Sequence, residues 1–215
     1  FLDLVPAAHL PRGFRETVAV STPAASALAV HLAIDFVPQG NPIIHIGDGG
    51  MGTAIMLPSI VDPSAAPEGY GTIELLRLLP PRAAEGWFEG DDAASYETWR
   101  RSEAYKTRKA QACDALVDAA AAIFPDLRAH IVMRVDATPV TFARYDWSSL
   151  GAIYGVVSVD VFKGTMSPLR GLYLAGAGNF GPGIEAVLIS GARTAEEIMP
   201  GLLGGTRGDG LQVVA

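Results

Sequence analysis

The stretch that most narrows the fold is Gly171–Gly191, "GLYLAGAGNFGPGIEAVLISG". An apolar run, a turn with G-x-G-x-x-G spacing at Gly176, Gly178 and Gly181, and an apolar segment opened by Pro182 and Gly183 read as strand, glycine-rich turn and helix. The small residues Ala175–Gly178 let a ligand's atoms approach the backbone closely. The helix, expected from about Ile184 to Met199, aims its positive end at whatever sits in that turn. Ile184, Val187, Leu188, Gly191, Ala195 and Ile198 fall on one face and form its expected apolar side. Dinucleotide-binding folds usually open with such a unit, followed by a strand whose acidic residue grips a ribose hydroxyl. Here only a short run follows Pro200, so the primary dinucleotide fingerprint is expected elsewhere.

Upstream, "SALAVHLAIDF" alternates the bulky Leu28, Val30, Leu32 and Ile34 with Ala27, Ala29, His31, Ala33 and Asp35, the period of two of a half-buried strand. "NPIIHI", "TAIMLPSIVDP" and "GTIELLRLLPP" are further extended runs, and together they predict an antiparallel meander. From Ala93 to Phe124 the period becomes helical, with Tyr96, Trp99, Cys113, Leu116, Ala120 and Ile123 recurring on one face and Pro125 as the stop. This predicts one long helix broken near Ser102. "AHIVMRVDATPVTFARY" is expected to return to extended structure, and only "GGTRGDG" near the C-terminus reads as a flexible segment.

Two motif matches fail on context. "GDGGMG" also has G-x-G-x-x-G spacing, at Gly47, Gly49 and Gly52, but Pro58 follows too soon for a phosphate-facing helix. It reads as a turn between two strands. The Arg207-Gly208-Asp209 triplet is a chance match in a glycine-rich run.

Composition removes several function classes. The net charge of −7 with scattered Arg and Lys leaves no basic stripe for a phosphate backbone, so nucleic acid is not an expected partner. Cys113 is the only cysteine, which excludes an internal disulfide and a cysteine-built zinc site. No His, Asp and Ser constellation and no metal-ligand spacing stand out, so no metal is expected. No apolar run approaches the ~20 residues of a spanning helix. The expected setting is reducing and cytoplasmic, with peripheral membrane contact as the one membrane relation left open. The chain starts at Phe1 inside an apolar segment and reads as the C-terminal piece of something longer.

"SPLRGLYLAGAGNFGPGIEAVLISGARTAEEI" resembles the C-terminal flavin-binding segment of the phytoene desaturase and carotenoid isomerase family of FAD-dependent oxidoreductases, related more distantly to the amine oxidases. "LPRGFRETV", "PAASALAVHLAID", "PSIVDPSAAPEG", "FPDLRAHIVMRVDATPVTFARY" and "GAIYG" follow the order of that family's C-terminal half, so the resemblance covers nearly the whole chain. The fold class it implies is α/β in its α+β form: the C-terminal part of a two-lobe, Rossmann-type flavoprotein. Residues 1–19 would end a segment of the FAD lobe and 20–144 would form an antiparallel-sheet substrate lobe. Residues 145–200 would return to the FAD lobe with its closing strand, turn and helix, and 201–215 would be a tail.

By that resemblance Gly176, Ala177 and Gly178 lie along the FAD ribityl and pyrophosphate, and Gly183, Ile184 and Glu185 stand at the helix N-terminus facing the isoalloxazine. Many related flavoproteins carry an acidic residue where Ala177 stands, so backbone contacts must suffice for the ribityl here. Arg144, Tyr145, Trp147 and Tyr154 are candidates for a pocket near the flavin, with His31 and His45 as further candidates. The implied activity is desaturation, saturation or isomerisation of an apolar, carotenoid- or isoprenoid-like substrate. An amine-oxidase-like enzyme and a non-catalytic binding protein like the GDP-dissociation inhibitors are the alternatives. The resemblance also implies a partner: a second polypeptide carrying the N-terminal FAD-binding half with its G-x-G-x-x-G turn, in a heterodimer.

Overall fold

The computed structural model describes residues 4–47, 52–90, 93–157 and 167–204. Two compact units result, Ala25–Ile153 and, from the two ends of the chain, Phe1–Ala24 with Tyr154–Ala215. In chain order the elements are α1 (Arg12–Ala19), β1 (Ser26–Ile34), β2 (Ile43–Ile46), β3 (Thr53–Met56), α2 (Pro58–Val61), β4 (Gly71–Leu79), α3 (Pro81–Glu85), α4 (Ala93–Trp99), α5 (Glu103–Ala121), β5 (Ile131–Ala137), α6 (Pro139–Asp146) and α7 (Ile184–Ile198). The fold is mixed α/β, built on an antiparallel sheet.

Ala25–Ile153 holds that five-stranded sheet, in the order β2-β3-β4-β1-β5. β2, β3 and β4 do follow one another as a meander, but β1 lies beyond β4 rather than beside β2. The two nine-residue strands explain this departure from a simple meander. β1 and β4 pair along their full length, from Ser26↔Leu79 to Ile34↔Gly71. That register aligns Val30 with Leu75 and Leu32 with Ile73, joining two apolar stripes that a separated arrangement would leave apart. The stripe packs on Cys113, Leu116, Val117 and Ala120 of α5, whose spacing puts them on one helix face. β2 and β3 pair antiparallel on either side of the expected turn, with Ile46 opposite Thr53; Asp48, Gly49, Gly50 and Met51 lie outside the described residues.

The predicted break in the long helix is present. Ser102 ends α4's run and caps α5, its hydroxyl accepting from the Tyr105 N–H at 3.1 Å. Tyr105 packs edge-on against Trp87 and Trp99, and Trp99 Nε1 donates to the Trp87 carbonyl at 2.8 Å.

The extended reading of "TPVTFARY" is corrected. β5 ends at Ala137 and residues 139–146 are helical. Thr138 and Thr141 form a reciprocal capping box, and Pro139 stands at the first helical position. Those caps outweigh the β-branched content. Thr138 is fully buried, and its Oγ1 also lies 2.7 Å from the Tyr105 hydroxyl.

Candidate functional site

The glycine-rich segment belongs to the unit formed by the chain ends. Instead of the expected continuous strand, the described residues of "GLYLAGAG" show a single bridge at Tyr173 followed by turns. α7 runs from Ile184 to Ile198, as predicted to within a residue. Its buried side differs from expectation. Ile184 is 81% exposed and Leu188 67%, whereas Ser190 and Thr194 are the buried residues.

Hydrogen bonds explain that orientation. The Gly176 N–H donates to Ser190 Oγ at 3.0 Å, and the Ser190 hydroxyl donates to Asn179 Oδ1 at 2.9 Å. Asn179 Nδ2 donates to the Leu174 carbonyl at 2.8 Å, and the Thr194 hydroxyl lies 3.0 Å from that same oxygen. Turning the apolar side of α7 inward would break these bonds and leave buried polar atoms unpaired, at about 1–3 kcal/mol each. Arg193 adds a clamp, its guanidinium 4.6 Å from the centre of the Phe180 ring. The loop is thereby fixed by residues that hydropathy alone does not single out.

Below the loop runs Tyr154–Val157, tied to the start of the chain. Pro23 bridges Val156, the Ala24 N–H donates to the Gly155 carbonyl at 2.9 Å, and the Val157 N–H donates to the Thr22 carbonyl at 2.8 Å. Gly155, at φ 77°, lets the loop settle on this segment. A Cβ there would stand 2.8 Å from the Ala177 carbonyl oxygen and 2.9 Å from Gly178 Cα.

The other side of the loop is open. Gly176 and Gly183 have φ of 110° and 99°, a backbone that side chains disfavour. Gly178 has no such conformation, and a Cβ on any of the three meets nothing within 4 Å among the described residues. Gly183 caps α7 without a side-chain hydrogen bond, so the first-turn N–H groups there have no side-chain acceptor. Ile184 and Glu185 of that turn are exposed.

The other candidates are spread over several elements. Arg144 and Tyr145 meet at the end of α6, the guanidinium 5.1 Å from the ring centre and 3.6 Å from Glu97. Hydrogen bonding to Arg100 holds the Glu97 carboxyl below its ordinary range. Trp147 ends α6 in the left-handed region, at φ 52°, with its side chain 84% exposed. Tyr154 is half-buried in the unit that carries the glycine loop. His31 and His45 stand on one face of the sheet, with β3 and β4 between their strands. Among the described residues no group of three or more His, Cys, Asp or Glu is placed to hold a metal ion, and no helix is long and apolar enough to cross a membrane. The Arg207-Gly208-Asp209 triplet and most of "GGTRGDG" lie outside the described residues.

Sequence reasoning missed Asn179, Ser190, Thr194 and Gly155. Two hydroxyl residues four apart, on the helix that follows a glycine turn, were the signal available for Ser190 and Thr194.

No family model matches the chain. Two curated proteins, prolycopene isomerases 1 and 2, chloroplastic, from an Oncidium hybrid cultivar, are each 27% identical to it over 151 residues. The match takes in 67% of this chain and 24% of theirs, so the chain spans about a quarter of the length of these relatives. Among solved structures, an oxidoreductase from Methanosarcina mazei superposes with a TM-score of 0.51 at 15% identity, over 90% of this chain and 39% of that one. At that identity what the two share is the fold.

Proposed function

We propose that this chain, a low-identity relative of the phytoene desaturase-like family, supplies the closing part of an FAD site and the substrate-binding sheet of an oxidoreductase acting on an apolar, unsaturated, isoprenoid-like molecule. The observation that carries the reading is Gly178. Neither its backbone angle nor a packed neighbour requires glycine there, and the same open side is shared by Gly176 and Gly183. A loop stripped of side chains on its outer surface, and fixed by hydrogen bonds on its inner one, suits a ligand that touches backbone.

Gly176, Ala177 and Gly178 would run along the ribityl and pyrophosphate of FAD, with Gly183, Ile184 and Glu185 at the ring end. Bound FAD supplies the hydride donor or acceptor at N5. The chain's own part is positional. Ser190 and Asn179 hold the loop in one shape, and the uncapped N-terminus of α7 offers N–H groups and a positive partial charge to an electron-rich ring edge. Arg144, Tyr145 and Trp147 would border the substrate, excluding water from it.

The FAD site is completed by a second polypeptide bearing a strand, a G-x-G-x-x-G turn and a downstream acidic residue. The exposed Ile184, Leu188 and Ile198 of α7 are the apolar area such a partner would cover. The test is to produce this chain alone and with the candidate partner, then compare flavin absorbance and oligomeric state after gel filtration. Flavin is expected only in the two-chain sample. A monodisperse, flavin-loaded single chain overturns the shared site, and a flavin-free complex overturns the cofactor assignment.

A further inference from the structure

The face of the sheet turned away from α5 carries an unusual line of residues. Register places Ile43 opposite Met56, Met56 opposite Glu74, Glu74 opposite His31, and His31 opposite Val135. One row therefore crosses all five strands, roughly 19 Å at the ~4.8 Å strand spacing. Ile43 and Val135 at its two ends are exposed, as is Met133 beside it, and the small Ala33 and Ala54 flank it. In the middle of this apolar line, His31 Nδ1 stands 3.5 Å from Glu74 Oε1, with the side chains 53% and 38% exposed.

Stability does not account for the pair, since a half-exposed ion pair of this kind contributes about 0–1 kcal/mol. It interrupts a surface otherwise suited to an elongated apolar molecule. With Nδ1 turned to the carboxylate, Nε2 on the far side of the ring is left for another partner. The other residues register sets around His31 on this face, namely Val135, Met133, Ala137, Ala29, Ala33, Thr72 and Leu76, carry no charge, and the remaining histidine of the face, His45, stands three strands away beside Ile43.

We infer that this sheet face binds an elongated, mostly apolar ligand bearing one hydrogen-bonding oxygen, and that His31, positioned by Glu74, takes that oxygen. The inference rests on the reading of the chain as part of an enzyme for apolar substrates, and it narrows that class to oxygen-bearing members. With Nδ1 facing the carboxylate, Nε2 is the ring's acceptor, so a lone hydroxyl in an apolar molecule, which can donate to it, gains most mid-row, and a pure hydrocarbon would leave Nε2 without a partner.

The test uses the chain as purified, with any polypeptide that accompanies it. Geranylgeraniol and its hydrocarbon counterpart without the hydroxyl compete against diphenylhexatriene, an elongated apolar fluorophore, and flavin absorbance is recorded on the same samples. The native chain is expected to prefer the alcohol by about tenfold, the factor one good hydrogen bond provides. His31→Phe should bring that ratio to within about twofold while the hydrocarbon still binds. Glu74→Leu should lower the ratio, and Glu74→Gln, which keeps an oxygen beside Nδ1, should keep most of it. An unchanged ratio in His31→Phe, no preference in the native chain, or no saturable binding of either probe overturns the inference. So does a change of oligomeric state in His31→Phe with the ratio intact, which would make the face a protein interface. Normal flavin with no preference refutes this inference alone, whereas a preference in a flavin-free two-chain sample refutes the cofactor assignment alone.

Discussion

Gly178→Ala separates a glycine kept for a ligand from a glycine kept for packing. Position 178 has ordinary backbone angles, and an added methyl would meet nothing within 4 Å. The substitution should therefore leave the folded unit intact and stabilise it by about 0.4–1 kcal/mol, because alanine restricts the unfolded chain. Gly155→Ala is the contrast. Its left-handed backbone costs about 1 kcal/mol, and its Cβ would press on the Ala177 carbonyl from 2.8 Å, so the loop itself must move. A loss of about 2–4 kcal/mol follows, several degrees in Tm for the unit that carries the loop. Flavin retention should invert this order of severity for Gly178→Ala: unharmed as a fold, it should hold FAD at least about tenfold more weakly, because the methyl occupies the space through which the cofactor reaches the backbone. Thermal unfolding and flavin fluorescence after dialysis of the assembled protein measure the two effects. If Gly178→Ala keeps its flavin with native affinity, or is destabilised as Gly155→Ala is, the open side of the loop is not a cofactor cradle.

Burial, and then the neighbouring Asp136, push the Cys113 thiol up to about 12. Iodoacetamide at pH 8 is accordingly expected to leave the native chain unmodified and to label it fully once unfolded in guanidinium, as read by intact mass. Asp114 is held below the usual carboxylate range first by its hydrogen bond to Arg134, an ion pair at 2.6 Å joining α5 to β5. Because the folded value is depressed, this contribution is present above the unfolded pKa of about 3.9 and is lost as pH falls through the lower folded value. Asp114→Asn should remove that part of the acid-side slope in urea unfolding of the sheet unit and leave stability near pH 7 lower by roughly 1 kcal/mol or less.

The elements of the sheet unit were legible where one face alternates cleanly. Leu28 to Ile34 are an example, as is the helix break at Ser102, where a capping serine precedes an acidic first turn. Strand order was not legible, because the pairing of β1 with β4 depends on matching two stripes far apart in sequence. The helix at Pro139 was within reach: Thr138, Pro139 and Thr141 spell a helix start, and the β-branched residues around them drew the reading toward a strand. The glycine loop was found and its support was not. Hydropathy put Leu188 on the inner face, but the Gly176 N–H and the Leu174 carbonyl need partners, and Ser190, Asn179 and Thr194 supply them. Local composition reports what a face would do in oil and water. It does not report which backbone groups a turn leaves unpaired.

The ladder that joins Thr22–Ala24 to Gly155–Val157 sets a timetable for synthesis. Its first segment leaves the ribosome before Ala25–Ile153, and its second follows only after all of that unit has been made, on the order of ten seconds later at ~5–20 residues per second. The contiguous sheet unit has that interval in which to fold, while the early segment waits without a partner. The loop around Gly176 rests on the later segment, so it can take shape only after that segment has been made. A ribosome stalled just short of Tyr154 would display a finished sheet unit with Thr22–Ala24 still unpaired and the loop around Gly176 not yet made.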